Sequence, residues 1–351
     1  MALNAQQLEI LDQFFKCLDD TQKREVIARW NADIPKDQQI SVSTVEEFLR
    51  AKKSVPKCPH CGSIHLVKNG HKNDRQRFIC KDCKKTSTLS KNSILFSTKK
   101  DMSTWNMYIG CMVQKFALRK CAKQCSISLP SAFVWRHKIL DALTNMMNAV
   151  KLYGISECDE TYQLISYKGN HKKSKNFVMP RKARRHGGVA SKRGISKEQV
   201  CITSGVDLAG HSIGRISNLG RPTHQELSSV LGEKIEHGAV LVTDSHKGYC
   251  KLAGDMELSH IRIRPNRHTS GSFNIQTVNA YHASLKKMIN GTFMGVSTKY
   301  LNNYIVYHNL VNFARGSEEH KEAVMLGFVF TTACKSLWKK NPTRPAIPCV
   351  A

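Results

Sequence analysis

The sequence predicts an α/β fold: a mixed sheet with covering helices, preceded by smaller elements. Three observations predict it. Residues 151–165, 200–207, 212–217, 239–243 and 260–264 form β-prone apolar runs separated by Gly and polar residues. A helical run, Thr223–Ile235, with Leu227, Val230 and Leu231 at inward spacing, precedes the fourth of these runs. Two further helical patterns, Ile275–Ile289 and 297–314, follow the last run. Strands in this number, with a helix ahead of the fourth, match a ribonuclease-H-like sheet.

A chain of 351 residues is too long for one ordinary core, so several domains are expected. Its 54 Lys and Arg against 27 Asp and Glu leave a net charge of +27, which calls for a polyanionic partner, with nucleic acid first. No basic amphipathic helix stands beside an apolar span, which argues against a membrane partner. No run reaches the ~18 apolar residues needed to span a bilayer. The start, MALNAQQLEI, lacks the basic and apolar regions of a signal peptide, so a cytoplasmic location is expected. Thirteen cysteines, an odd number with only two close pairs, fit reduced thiols and a metal site better than a disulfide framework.

Residues 1–54 read as a helical N-terminal region. Leu8, Ile10, Leu11, Phe14, Phe15 and Leu18 share one face, and nothing in the segment carries chemistry. Residues 55–97 read as a zinc ribbon. Cys58-Pro-His-Cys61 and Cys80-Lys-Asp-Cys83 are separated by eighteen residues, and four thiolates so spaced close a tetrahedral shell around one structural Zn2+. Gly62 supplies the positive φ that such a turn needs. With four sulfurs present, His60, His65 and His71 are expected on the surface. Thirteen Lys and Arg against two acids between 51 and 100 suit contact with phosphates, or else a solvated basic face.

Residues 98–150 read as helices in helix-turn-helix order. Trp105, Tyr108, Ile109, Met112, Val113 and Phe116 form one stripe. A short helix with buried Ala122 then breaks at Ser126–Ser128, and Ser128 caps a helix that starts at Pro130. Arg136 and Lys138 would lie on or near the presented face, and Trp135 in the core. Two packed core helices are the alternative reading of the same pattern. A catalytic domain follows at 151–315. It contains an insertion, 166–197, with eleven Lys and Arg and no acid, which suits a flexible clamp on a DNA backbone. Residues 316–351 hold a C-terminal helix, Lys321–Trp338, and a tail.

The candidate chemistry gathers at three stretches. GISECDETY, residues 154–162, carries Asp159 within a strand; AVLVTDSHKGY, 239–249, runs an apolar strand into Asp244; IQTVNAYHASLKKMI, 275–289, is a helix carrying Asn279 and Lys286. Phosphodiester cleavage requires charge to be neutralised on the attacking and leaving oxygens, which two Mg2+ ions do in many nucleases. Asp159, Asp244 and the Asn279 carbonyl are hard oxygen ligands suited to Mg2+. Asn279, His282 and Lys286 stand at i, i+3 and i+7 on one helix face, and Lys286 is placed to touch a phosphate. Glu160 points to the opposite strand face from Asp159 and is left out of the metal set. His246 and Lys247 are loop residues without an assigned role.

CDETY, LVTDSHKGY and TVNAYHASLKKMINGTFMGVSTKYLNNY, in this order behind a two-knuckle ribbon, resemble the bacterial insertion-sequence transposases of the ISXO-like group. The resemblance covers roughly residues 55–315. It implies a ribonuclease-H-like fold and an Asp-Asp-Glu or Asp-Asp-Asn set followed seven residues later by Lys. Those positions are here Asp159, Asp244, Asn279 and Lys286. It further implies binding of double-stranded DNA at terminal inverted repeats, Mg2+-dependent nicking, 3′-hydroxyl attack on target DNA, and a homo-oligomer assembled on DNA near the nucleoid. The alternatives are a decayed relative acting as a DNA-binding repressor, and an unrelated zinc-ribbon RNA-binding or transcription factor. The last leaves both strand-end aspartates and the Asn–Lys helix unexplained.

Overall fold

The structure is a computed structural model and describes residues 57–72, 75–88, 94–95, 98–147, 149–170, 177–182, 190–265, 267, 269–331 and 344–349. These fall within one compact unit, Ser54–Ala351. The helical reading of residues 1–54 lies outside the described residues, as does the part of the C-terminal helix expected over 332–338.

A small antiparallel sheet comes first: β1 (Leu66–Lys72), β2 (Arg75–Cys80) and β3 (Thr86–Thr88), in that spatial order. Three helices follow, α1 (Met102–Val113), α2 (Leu118–Gln124) and α3 (Leu129–Met147). Asp101 caps α1 by accepting from the Thr104 amide at 2.8 Å, and Ser128 accepts from the Ser131 amide at 3.2 Å at the start of α3. The stripe read from the sequence is the buried face of α1, where the Trp105 and Trp135 rings stack 3.7 Å apart.

Arg136 departs from the expectation. It is fully buried, donates to the Phe116 carbonyl at 2.5 Å and to Cys121 Sγ at 3.2 Å, and lies 5.3 Å from the Phe293 ring. Its face of α3 turns inward, so this guanidinium ties helices together and cannot meet a phosphate. Lys138 is half-buried, with Nζ 3.4 Å from the Ile94 carbonyl. Within these three helices exposed basic groups sit instead on α2, at Arg119, Lys120 and Lys123.

The main sheet is built from β4 (Ile155–Leu164), β5 (Gln199–Asp207), β6 (Ser212–Leu219), β7 (Val240–Thr243) and β8 (Ser259–Arg262). Their spatial order is β6-β5-β4-β7-β8. The first three pair antiparallel, while β7 and β8 run parallel to β4. Parallel neighbours need a crossover. The first contains α4 (His224–Leu231), whose Thr223–Glu226 capping box satisfies its first turn, and the second is α5 (Lys247–Asp255). A two-strand hairpin follows, β9 (Thr269–Ser270) and β10 (Phe273–Asn274), which the sequence reading missed because its strands are too short to show a period. Then come α6 (Gln276–Lys286), α7 (Leu301–His308) and α8 (Glu318–Thr331). This mixed sheet, antiparallel on one side of β4 and parallel on the other, is the ribonuclease-H-like fold expected from the sequence.

Each face of the sheet has its own cover. Leu227, Val230, Leu231, Tyr249 and Leu252 from α4 and α5 close over Cys158 and Leu241. On the other face α6 packs on β4 and β5, and α7 on β6. Gly214 permits this approach: a Cβ there would stand 2.7 Å from the Tyr281 hydroxyl and 2.9 Å from an Ile305 methyl. α7 also packs on α3, and the Tyr307 hydroxyl donates to the Met112 carbonyl of α1. Asn303 and Arg344 both bond Asp141 of α3. Among the described residues no helix is long and apolar enough to cross a membrane.

Candidate active site and cysteine knuckles

β4 is the spine of the site. Cys158 faces the α4–α5 core, so alternation turns Glu157, Asp159 and Thr161 toward α6. The parallel register pairs Cys158 with Thr243, and Asp244 is the next residue. The two predicted aspartates therefore stand at the same level on adjacent strands. Asp244 Oδ1 accepts from the His246 amide at 2.8 Å, an Asx turn that opens α5 and holds the carboxylate at the strand end.

α6 lies along β4 and meets it at three points in order. Glu157 accepts from the Thr277 hydroxyl at 2.7 Å and from the Val278 amide at 3.0 Å. His282 Nδ1 lies 3.7 Å from Asp159 Oδ2. Gln163 Nε2 donates to Asn290 Oδ1 at 3.0 Å, where α6 has passed into a wider π turn, Lys287–Thr292. Asn279 is exposed and directly follows Val278, and Lys286 is exposed one turn beyond His282. Asp159, Asp244 and Lys286 are thus electrostatic neighbours, and Asn279 stands on the same helix between two points anchored to β4. The sequence had placed His282 on this helix face but gave it no role, and had not singled out Glu157. The signal for Glu157 was available: two positions before Asp159, it must share its face.

Burial, and then the Asp244 charge, push the Asp159 carboxyl up to about 6, against a backbone hydrogen bond at Glu160 and the Lys286 ammonium. Burial, and then Lys286, bring His282 down to about 4, so it is neutral at pH 7. Glu160, on the opposite face beside Tyr249, is pushed up to about 7 by burial. A carboxyl with a folded-state pKa raised above its unfolded value favours the folded state when protonated, and that stability is lost as pH rises through the folded value. Asp159→Asn should therefore stabilise the metal-free protein by about 2 kcal/mol above pH 7, with the gain over wild type growing between roughly pH 4 and pH 6. Comparison with wild type cancels the buried histidines away from Asp159, His137 and His308, whose effect on stability has the opposite sign. Paired urea melts across this range check the result; a gain independent of pH would contradict it.

The cysteines converge as the spacing requires. The four sulfurs of Cys58, Cys61, Cys80 and Cys83 lie within 4.8 Å of one another, with Cys58–Cys83 and Cys61–Cys80 each at 3.6 Å. A tetrahedron with Zn–S of about 2.3 Å has S···S edges of roughly 3.8 Å, so one zinc fits. Gly62 takes φ 80° after the first knuckle, and Lys84 takes φ 57° at the equivalent place after the second. Backbone N–H groups of Cys83 and Asp82 pull the Cys80 thiol down to about 6, toward the thiolate that binds metal. His65 faces Asp82 at 3.2 Å on the surface, outside the sulfur shell, as expected.

The chain thus combines a ribonuclease-H-like sheet, with two acids at adjacent strand positions, and a preceding cluster of four cysteines. Residues 151–307 match the family described as ISXO2-like transposase domain. No curated protein matches the chain in sequence. Among solved structures, "Crystal structure of a pre-cleavage Mos1 transpososome" is 10% identical, with 95% of this chain and 99% of that chain covered at a TM-score of 0.20. "Mos1 transposase paired-end complex with left transposon end" is 11% identical over 95% and 100% of the two chains, also at 0.20.

Proposed function

We propose that the protein is a DNA transposase of an insertion sequence, cutting element ends and joining them to target DNA. The observation that carries this reading is the register of β4 and β7, which sets Asp159 beside Asp244 on the side of the sheet served by α6. Asp159, Asp244 and Asn279 are a hard oxygen set suited to Mg2+. Two half-buried acids at adjacent strand positions, with the Asp244 charge raising the proton affinity of Asp159, are also the electrostatic situation a divalent cation relieves. When bound there, Mg2+ would neutralise charge on the attacking and leaving oxygens of an in-line displacement.

The chain's own groups do the rest. Lys286, beside Asp159, holds the phosphate whose P–O bond is exchanged. In nicking, a water oxygen replaces one strand oxygen on phosphorus and leaves a 3′-hydroxyl; in joining, that hydroxyl attacks a target phosphate and displaces its strand oxygen. Neutral His282 backs the Asp159 carboxylate without competing with a metal for it. The insertion, residues 166–197, is anchored in part by Arg181 donating to the Ile165 carbonyl at 3.2 Å, and brings its basic residues to the DNA backbone. The ribbon, holding one structural Zn2+, and the exposed basic face of α2 bind the terminal inverted repeats. The protein works as a homo-oligomer on double-stranded DNA in the bacterial cytoplasm, at the nucleoid.

Incubation of purified protein with labelled element-end DNA and Mg2+ tests this reading: nicking should appear and disappear with chelator. A neutral Asn279 in place of a third carboxylate keeps the alternative of a decayed, DNA-binding relative in view. Asn279→Glu separates the two. In an active enzyme it should lower the Mg2+ needed for half-maximal nicking several-fold; an inactive wild type rescued by Glu would establish the decayed reading.

A further inference from the structure

We propose that Glu157 is a positioning residue for the site: it fixes the start of α6 against β4 and thereby sets Asn279 and Lys286 relative to Asp159. This rests on the reading of Asp159, Asp244 and Asn279 as a metal site. Glu157 is 4% exposed, an environment that admits a carboxylate only if its oxygens are satisfied. Both are: Oε1 accepts from the Thr277 hydroxyl at 2.7 Å and Oε2 from the Val278 amide at 3.0 Å. Residue 275, the helix N-cap, makes no side-chain cap bond of its own, so a carboxylate from another element serves the first-turn amide. The helix dipole favours a negative charge at this end.

The position of this contact gives it its consequence. Val278 immediately precedes Asn279, and Glu157 lies two strand positions from Asp159. One carboxylate thus links the backbone of the two ligand-bearing segments, 120 residues apart in sequence. Removing it leaves α6 held by its apolar face, Val278, Tyr281 and Leu285, and by polar contacts from Tyr281 onward, none of which bonds the first turn. Groups that orient metal ligands in this manner typically change metal affinity by about 10- to 100-fold when altered.

Mn2+ binding read by EPR of the free ion measures this without reference to DNA cutting. Wild type should bind Mn2+, Asp159→Ala should lose it, and Glu157→Gln should weaken it about tenfold while the main melting transition shifts by only a few degrees. Thr277→Val, which removes the donor to Oε1 and keeps the Val278 amide on Oε2, should weaken it in the same direction. The double variant should lose less than the sum, because both changes break one contact. Wild-type Mn2+ affinity in both single variants, with Asp159→Ala still deficient, would overturn the role of Glu157 and leave the metal site standing. Wild-type affinity in Asp159→Ala would remove the metal site, and the role of Glu157 with it. If Glu157→Gln does not fold, Thr277→Val decides: weakened binding supports the role and unchanged binding overturns it.

Discussion

Asp159→Ala and Asp244→Ala should each lower Mg2+-dependent nicking of element-end DNA by roughly a thousandfold or more while leaving DNA affinity within a few-fold of wild type. The effect is large because each carboxylate is half of the charged ligand set. With one removed, the remaining acid and a neutral Asn279 would no longer hold the divalent metal whose charge neutralises the attacking and leaving oxygens. Affinity is spared because it comes from basic groups neutralising phosphates over a wide surface, and loss of an acid within that field does not weaken it. The measurements are single-turnover nicking and a salt-dependent binding isotherm on the same preparations. Retained nicking in either variant would take that residue out of the site; loss of nicking with equal loss of binding would point to misfolding.

Cys80→Ser should abolish zinc binding, against one ion per chain in wild type. Among the described residues the small sheet β1–β2–β3 has little apolar interior of its own, and Cys58, Cys80 and Ser87 are its buried groups, with Ile94 and Leu95 beyond it. Its order then rests on the metal, whose apparent binding energy in zinc-finger peptides is about 10–16 kcal/mol. The amides of β1 to β3 should lose exchange protection while the main melting transition holds, since α3 and α7 pack independently of the sulfur shell. Affinity for element ends should fall about tenfold with a shallower salt dependence, as the ribbon's basic residues no longer lie on the duplex. Metal analysis is the primary check, and unchanged zinc content would refute the ribbon.

Much of this was legible in the chain, for reasons that differ by element. The strands of the main sheet could be read because apolar runs ended at turn residues, and the helix before β7 because Thr223 and Glu226 mark its start in sequence. The cysteine knuckles were legible because spacing alone brings four sulfurs to one point. Arg136 was misread. Charge and helical position suggested a presented face, but burial is set by α1, α2 and α7 closing around α3, and that is a matter of tertiary packing. The hairpin of β9 and β10 was missed because four residues carry no periodicity. Asp159 and Asp244 could be named but not placed, since their adjacency depends on a parallel register that joins segments 85 positions apart. Asn279 and Lys286 could be put on one helix face by counting, yet the anchoring of that helix at Glu157 only emerges once β4 and α6 lie side by side.

β4 is bonded along both edges, to β5 on one and β7 on the other. Its backbone therefore belongs to the slowest-opening part of the molecule, where amide exchange demands global rather than local unfolding. The Asp159 amide should behave as part of a fixed anvil. Whatever adjustment accompanies loading of the site then falls to the turn after β7 and to the helix across the groove, and those are the segments whose exchange rates should respond when a divalent ion is added.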